Sequence, residues 1–161
     1  MLDLAVKESA LRYPAERAFH GLAVMEGYGT YMAQVAEIIA VRDGKVKVHR
    51  IYCVADCGQQ VNPDTVVAQI ESSIVFGLSA LMWGEINIQN GRVQQTNFDS
   101  YRVARMNDTP RIDSYVIDST EAPGGIGEPA TALVAPAVCN AIYAATGRRI
   151  RSLPLSRHQL A

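Results

Sequence analysis

Charge is scarce in this sequence. Lys and Arg number 15 against 16 Asp and Glu, 19% of the 161 residues, where about 25% is usual. A net charge of −1 gives no long-range field to draw the chain to nucleic acid, so no nucleic-acid partner is expected. Cysteine is scarce as well. Cys53, Cys57 and Cys139 cannot build a disulfide framework. A Cys-x-x-x-Cys pair with no second pair and no nearby His is poor zinc spacing, and these residues read as small core thiols. His20, His49 and His158 are scattered. No unbroken apolar run reaches the roughly 18 residues of a membrane span; Ile74 to Trp83 is short and carries Gly77 and Ser79. Met1-Leu2-Asp3-Leu4 has neither the basic nor the apolar region of a signal peptide and carries no compartment signal. Repeats and low-complexity tracts are missing too.

What is present is apolar content: 48% of residues are hydrophobic, enough to bury a sizeable core and to exclude global disorder. Residues 1–161 read as one domain. Residues 2–12 have loose helical spacing, ended by Tyr13-Pro14. Ala18 to Glu26 and Tyr31 to Val41 read as strands around a turn at 27–30. Asp43-Gly44 is a hairpin signal into a strand from Lys45 to Ala55. There Val46, Val48, Tyr52 and Val54 share one parity, hence one expected face. Asn62 is a plausible N-cap, with Pro63 in the first turn of a helix to about Trp83. That helix is apolar nearly all round in its second half, the mark of a buried helix. Asn90-Gly91 is a hairpin signal joining 85–89 to 92–97, and Arg111 to Ser119 reads as another strand. A second apolar helix, from about Ala135 to Thr146, stops at Gly147. Strands and helices mix without a βαβ rhythm. The expected class is therefore α+β: a mixed or antiparallel sheet with two long apolar helices.

The stretch Gly124-Gly125-Ile126-Gly127-Glu128-Pro129 is the most informative. Its glycines allow close approach of backbone to a ligand, and it feeds a helix N-terminus, where amides favour anions. Pro129 biases Glu128 away from helical geometry, which holds a carboxylate ahead of the helix. Two readings stand: a tight turn with a capping glutamate, or a ligand loop whose glutamate serves as a general base.

Together with Val134-Ala135-Pro136-Ala137 and Asn140-Ala141-Ile142, this loop resembles the C-terminal motif of the molybdenum hydroxylases, the xanthine dehydrogenase family. A second block agrees: Asp56-Cys57-Gly58, Val61-Asn62-Pro63, Gln69-Ile70-Glu71 and Gly77. Asn97-Phe98-Asp99-Ser100-Tyr101, Arg105-Met106 and Arg149-Ile150-Arg151-Ser152-Leu153-Pro154 are most similar to the large subunit of isoquinoline 1-oxidoreductase and its kin.

The resemblance implies a molybdenum-pterin cofactor, in its molybdopterin cytosine dinucleotide form. It implies hydroxylation of an N-heteroaromatic ring or oxidation of an aldehyde, with water as oxygen source. Glu128 matches the active-site base and Gln69 a glutamine that bonds the pterin. Thr65 and Val66 would lie near the nucleotide tail. The backbone of Gly125, Ile126 and Gly127 would line the cofactor. No protein ligand to the metal is expected, since the pterin's dithiolene holds it and the hard chemistry is the cofactor's. Subunits of this family are several times longer. The chain is thus expected to be a C-terminal segment of a larger molybdopterin-binding subunit, without cofactor or activity by itself. Its partners would be the upstream remainder, a small 2Fe–2S subunit and a small-molecule substrate. Ser72-Ser73 stands where the family has smaller residues, a change expected to matter little. The rival function is a non-catalytic nucleotide- or phosphate-binding or assembly module.

Glu71 reads as one half of a buried ion pair, and Trp83 as a core anchor. Tyr28 and Tyr31 are expected to pack. Arg148, Arg149 and Arg151 follow a helix C-terminus, where cations are favoured. Apolar helices with few charges imply open surfaces in so short a chain, and hence a two-fold homodimer.

Overall fold

A computed structural model describes residues 1–11, 18–42 and 45–160. A four-stranded sheet is built from β1 (Ala18–Gly27), β2 (Thr30–Arg42), β3 (Lys45–Asp56) and β6 (Arg111–Val116), in the order β1-β2-β3-β6. β1, β2 and β3 form an antiparallel meander, and β6 joins β3 in parallel. Two short strands, β4 (Ile88–Gln89) and β5 (Arg92–Val93), form a separate hairpin. The helices are α1 (Leu2–Leu11), α2 (Pro63–Trp83) and α3 (Pro129–Thr146). The expected α+β class with a mixed sheet is what the chain adopts.

α2 and α3 cover one face of the sheet and α1 part of the other. The main core joins Met32, Ala36, Ile38, Ile51 and Cys53 to Ile70, Ile74, Leu78, Val134 and Ile142. A smaller one holds Ala33, Val35, Tyr52 and Val54 under Ala5 of α1. The expected single face for Val46, Val48, Tyr52 and Val54 is corrected here. Glu37 pairs with Arg50 while Ile38 pairs with Val48, so His49 is an extra residue in β3. Such a bulge reverses side-chain parity. Val46 and Val48 therefore join Ile51 and Cys53 under the helices, and Tyr52 and Val54 face α1. The Asp43-Gly44 turn and the Tyr13-Pro14 stop lie outside the described residues.

Asn62 caps α2, its side chain accepting the Thr65 N–H at 3.1 Å. The expected burial of α2 all round does not hold. Val66, Ile70, Ser73, Ile74, Gly77, Leu78 and Leu81 form one buried stripe, while Phe76 is 71% exposed. Both α2 and α3 are long and apolar enough to cross a membrane by length and composition. Gly and Ser interrupt the apolar run of α2 without bringing its mean hydropathy below that of a membrane span. Here both helices are spent on the core. α3 starts at Pro129, six residues earlier than its apolar run suggests, because Pro is well suited to a first turn. It packs so closely on β1 that a Cβ on Gly21 would lie 2.1 Å from the Ala137 carbonyl oxygen.

Other expectations are corrected on the surface. Glu71 is exposed and has no ion pair among the described residues. Tyr28 is 70% and Tyr31 48% exposed; the Tyr31 hydroxyl donates to Glu26 at 3.2 Å. The arms of the Asn90-Gly91 turn pair over only two residues each, since Ile88 and Val93 have no layer to bury them. Trp83 is half-buried beneath the Arg102 guanidinium, 4.0 Å from its ring centre. Arg149 lies 3.6 Å over the Tyr143 ring, and Arg148 donates to the Gln159 carbonyl. Cys53 and Cys57 are buried and Cys139 half-buried, all free.

Candidate functional site

Three parts of the fold grip the glycine loop. The Gly124 N–H donates to the Cys57 carbonyl at 2.8 Å, past the end of β3. The Gly125 N–H donates to the Tyr28 carbonyl at 2.8 Å, and the Thr30 hydroxyl donates to the Gly125 carbonyl at 2.7 Å. From α2, the Ser73 hydroxyl donates to the Gly127 carbonyl at 2.7 Å. The Thr131 hydroxyl closes the set on the Ser73 carbonyl at 3.0 Å. Gly124 must be glycine, because a Cβ there would sit 2.3 Å from the Gly29 carbonyl oxygen.

Beyond these bonds the loop opens. A Cβ on Gly127 would meet nothing within 4 Å. The N–H groups of Ile126 and Gly127 have no partner among the described residues. Glu128 takes the N-cap position of α3 with φ −130° and ψ −16°, yet its side chain makes no capping bond. Its carboxylate is therefore free for other work. It opens on a cavity of about 450 Å³ between α2, α3 and the β1–β2 turn, walled by Met25, Tyr28, Ser72, Phe76 and Ala132. Glu128 is the only carboxylate among the lining residues, and no cation lines the cavity.

Among the expected site residues, the structure brings Glu128 and Gly127 into this cavity. Gly125 is exposed beside it. Ile126 is partly buried against the core, so only its backbone faces outward. Gln69 and Thr65 lie on the exposed stripe of α2 that continues through Ser72 and Phe76. They do not line the cavity. Val66 departs from expectation: it is buried in the core at 8% exposure, one position off that stripe, and offers no side chain to a ligand. Ser73 and Thr131 were not foreseen. The Ser72-Ser73 departure from the family pattern was the available signal.

Residues 9–110 match the family model described as the molybdopterin cofactor-binding domain. The chain belongs to this family. It is 37% identical over 130 residues to the membrane-bound aldehyde dehydrogenase [pyrroloquinoline-quinone] of Gluconacetobacter polyoxogenes, covering 80% of this chain and 17% of that protein. It is 32% identical over 136 residues to isoquinoline 1-oxidoreductase subunit beta of Brevundimonas diminuta, covering 84% of this chain and 17% of that one. Among solved structures, quinoline 2-oxidoreductase from Pseudomonas putida 86 superposes with a TM-score of 0.71 at 21% identity, over 78% of this chain and 17% of that chain. That likeness shows the shared fold. The chain thus spans about a sixth of the length of these relatives, and the Gly124–Glu128 loop lies beyond the segment matched by the family model.

Proposed function

We propose that this chain supplies the base-bearing loop of a molybdenum-pterin site in an oxidoreductase that hydroxylates an N-heteroaromatic ring or oxidises an aldehyde, with water as the oxygen source. The observation that carries the reading is Glu128: a carboxylate at a helix N-terminus, uncapped, beside an open glycine and two unpartnered amides. A purely structural cap would spend that carboxylate on the α3 amides. A pterin-bound metal fits beside it, since Gly127 leaves space where any side chain would intrude and the free N–H groups offer donors. When bound, the group supplies the two-electron oxidation and the water-derived oxygen.

The chain's own residues do the rest. Glu128 takes the proton released as oxygen is delivered to carbon, a transfer that contributes about 10²–10⁴ in rate. Ser73, Thr131 and Thr30 hold the loop so that Glu128 keeps its place. Phe76, Met25 and Tyr28 wall the space it faces. Gln69 would bond the pterin, and Thr65, on the first turn of α2, would approach the tail of a cytosine dinucleotide form. The remainder of the subunit, a 2Fe–2S subunit that accepts the electrons and the small-molecule substrate are the partners. The chain alone would hold no molybdenum, because the site needs loops from that remainder.

In the full-length parent, Glu128→Gln is expected to lower turnover about 10²–10⁴-fold while molybdenum and pterin content stay unchanged. Loss of metal in parallel with turnover would make Glu128 structural and overturn the reading. Elemental and cofactor analysis of the same preparation separates a molybdenum-pterin from pyrroloquinoline quinone; quinone without molybdenum would also overturn it.

A further inference from the structure

Among the described residues, Arg50 and Arg111 pair with Asp113, Arg102 with Asp108 and Arg157 with Glu85. Arg149 and Arg151 pair with no carboxylate there. Both line one cavity of about 350 Å³, built between α3 and residues 149–153. Asn140, Ser152 and Cys139 supply its other polar side chains, and no acidic residue lines it.

One of the two guanidiniums is already held in place. Arg149 lies 3.6 Å over the Tyr143 ring, and its Nη1 donates to Asn140 Oδ1 at 3.4 Å. Asn140 is fixed in turn from β1, its Nδ2 donating to the Leu22 carbonyl at 3.0 Å. A strand thus anchors the amide that orients the guanidinium. The other N–H groups of Arg149 have no partner among the described residues, and the exposed Arg151 side chain has none there either.

The C-terminus of α3 does not account for this pair. A helix dipole acts within the last turn. Arg149 reaches back to Asn140, more than a turn inside α3, and Arg151 lies beyond the Gly147 cap.

Two guanidiniums in one cavity repel each other, and a doubly charged anion offsets both. Their planar forks match the oxygens of a phosphate group. A phosphate monoester carries about −1.5 to −2 charge at pH 7, where a carboxylate carries only one. Pro136, Ile150 and Leu153 give the cavity an apolar wall for the carbon part of such a ligand.

We propose that this cavity is a binding site for a small phosphate monoester, gripped by Arg149 and Arg151. It shares no lining residue with the cavity of Glu128, and the proposal does not depend on the molybdenum reading.

Cys139 reports occupancy, because it lines the same cavity. Phenyl phosphate is expected to slow iodoacetamide labelling of Cys139 in the intact chain at pH 8. Benzoate and sodium chloride at equal ionic strength are expected to leave the rate unchanged. Arg151→Gln should abolish the protection with the circular dichroism unchanged. Without any ligand, the same variant should lower several-fold the ratio of iodoacetate to iodoacetamide labelling at Cys139, since one guanidinium no longer draws the anionic reagent. Should the variant fail to fold, phenyl phosphate against benzoate on the unsubstituted chain decides. The same protection is expected in the full-length parent. Equal protection by benzoate, protection that survives in folded Arg151→Gln, or a parent in which Cys139 is out of reach or phenyl phosphate changes nothing would each overturn the proposal.

Discussion

Ser73 of α2 donates its hydroxyl to the Gly127 carbonyl at 2.7 Å, fixing the residue just before Glu128 from a helix 54 positions earlier in the chain. The bond is two-sided, because Thr131, in the first turn of α3, donates back to the Ser73 carbonyl at 3.0 Å. Ser73 is 4% exposed, so water does not replace its hydroxyl easily. Ser73→Ala is expected to cost about 1 kcal/mol, the net worth of one such bond, measured by urea unfolding. Hydrogen exchange should quicken at Gly125 and Thr131, whose N–H groups donate to the Tyr28 and Glu128 carbonyls, and stay unchanged at the β2–β3 ladder. Equal exchange at the loop in both proteins would mean that Thr30 and the backbone bonds hold it unaided.

Two glycine substitutions should part sharply. A Cβ on Gly21 would sit 2.1 Å from the Ala137 carbonyl oxygen and 2.2 Å from the Ala141 nitrogen, both backbone atoms that cannot swing aside. Gly21→Ala must push α3 off β1, and about 3 kcal/mol is expected, the upper end of overpacking costs. Gly127→Ala meets nothing within 4 Å, so its melting temperature should change little. Comparable losses for the two variants would show that the loop has less room than the structure gives it.

Local chemistry made much of this legible in advance. Asn62-Pro63 marks the start of α2, Gly147 the end of α3, and Gly124 to Pro129 the loop that leads into α3. Non-local events were harder to read. The parity of β3 changes at His49 because Glu37 pairs with Arg50 and Ile38 with Val48. A bulge of that kind depends on the neighbouring strand, and no residue in 45–55 announces it. α3 begins ahead of the apolar run from Ala135, because tertiary contact buries Ala130 and Leu133. The resemblance brings Val66 in beside Thr65, yet on a helix adjacent residues face about 100° apart, and Val66 points into the core. The role of Ser73 depends on a partner 54 residues away, and only the folded chain shows it.

The thiols should differ in reactivity. Burial pushes the Cys53 thiol up to about 12, so almost no thiolate forms near neutrality. Cys139 is half-buried, and burial raises it also. Iodoacetamide at pH 8 is expected to label Cys139 first and to leave Cys53 unmodified until the chain unfolds, as read by peptide mass spectrometry. Labelling of Cys53 at the rate of Cys139 in folded protein would contradict the burial of β3.

Acid should find its weak point at Arg50 and Asp113. The Arg50 side chain is 7% exposed and the Asp113 side chain 15% exposed, and the two form an ion pair between β3 and β6. The hydrogen bond from Arg50 holds the Asp113 carboxyl below its ordinary 3.8, against the opposing effect of burial and with help from the charges of Arg50 and Arg111. A carboxylate lowered on folding adds stability that is fully present above its unfolded value. That stability is lost as pH falls below 3.8 and through the folded value. Asp113→Asn leaves the Arg50 guanidinium buried without its counter-charge. Breaking a buried pair in this way costs about 3–5 kcal/mol, with the lower figure expected here because Asp113 keeps some contact with water. The loss should be full at pH 7 and shrink below pH 4, so the two stability curves converge in acid. Urea unfolding of both proteins from pH 7 to pH 3 checks this. Parallel curves across that range would mean that the pair holds β6 in place by shape alone.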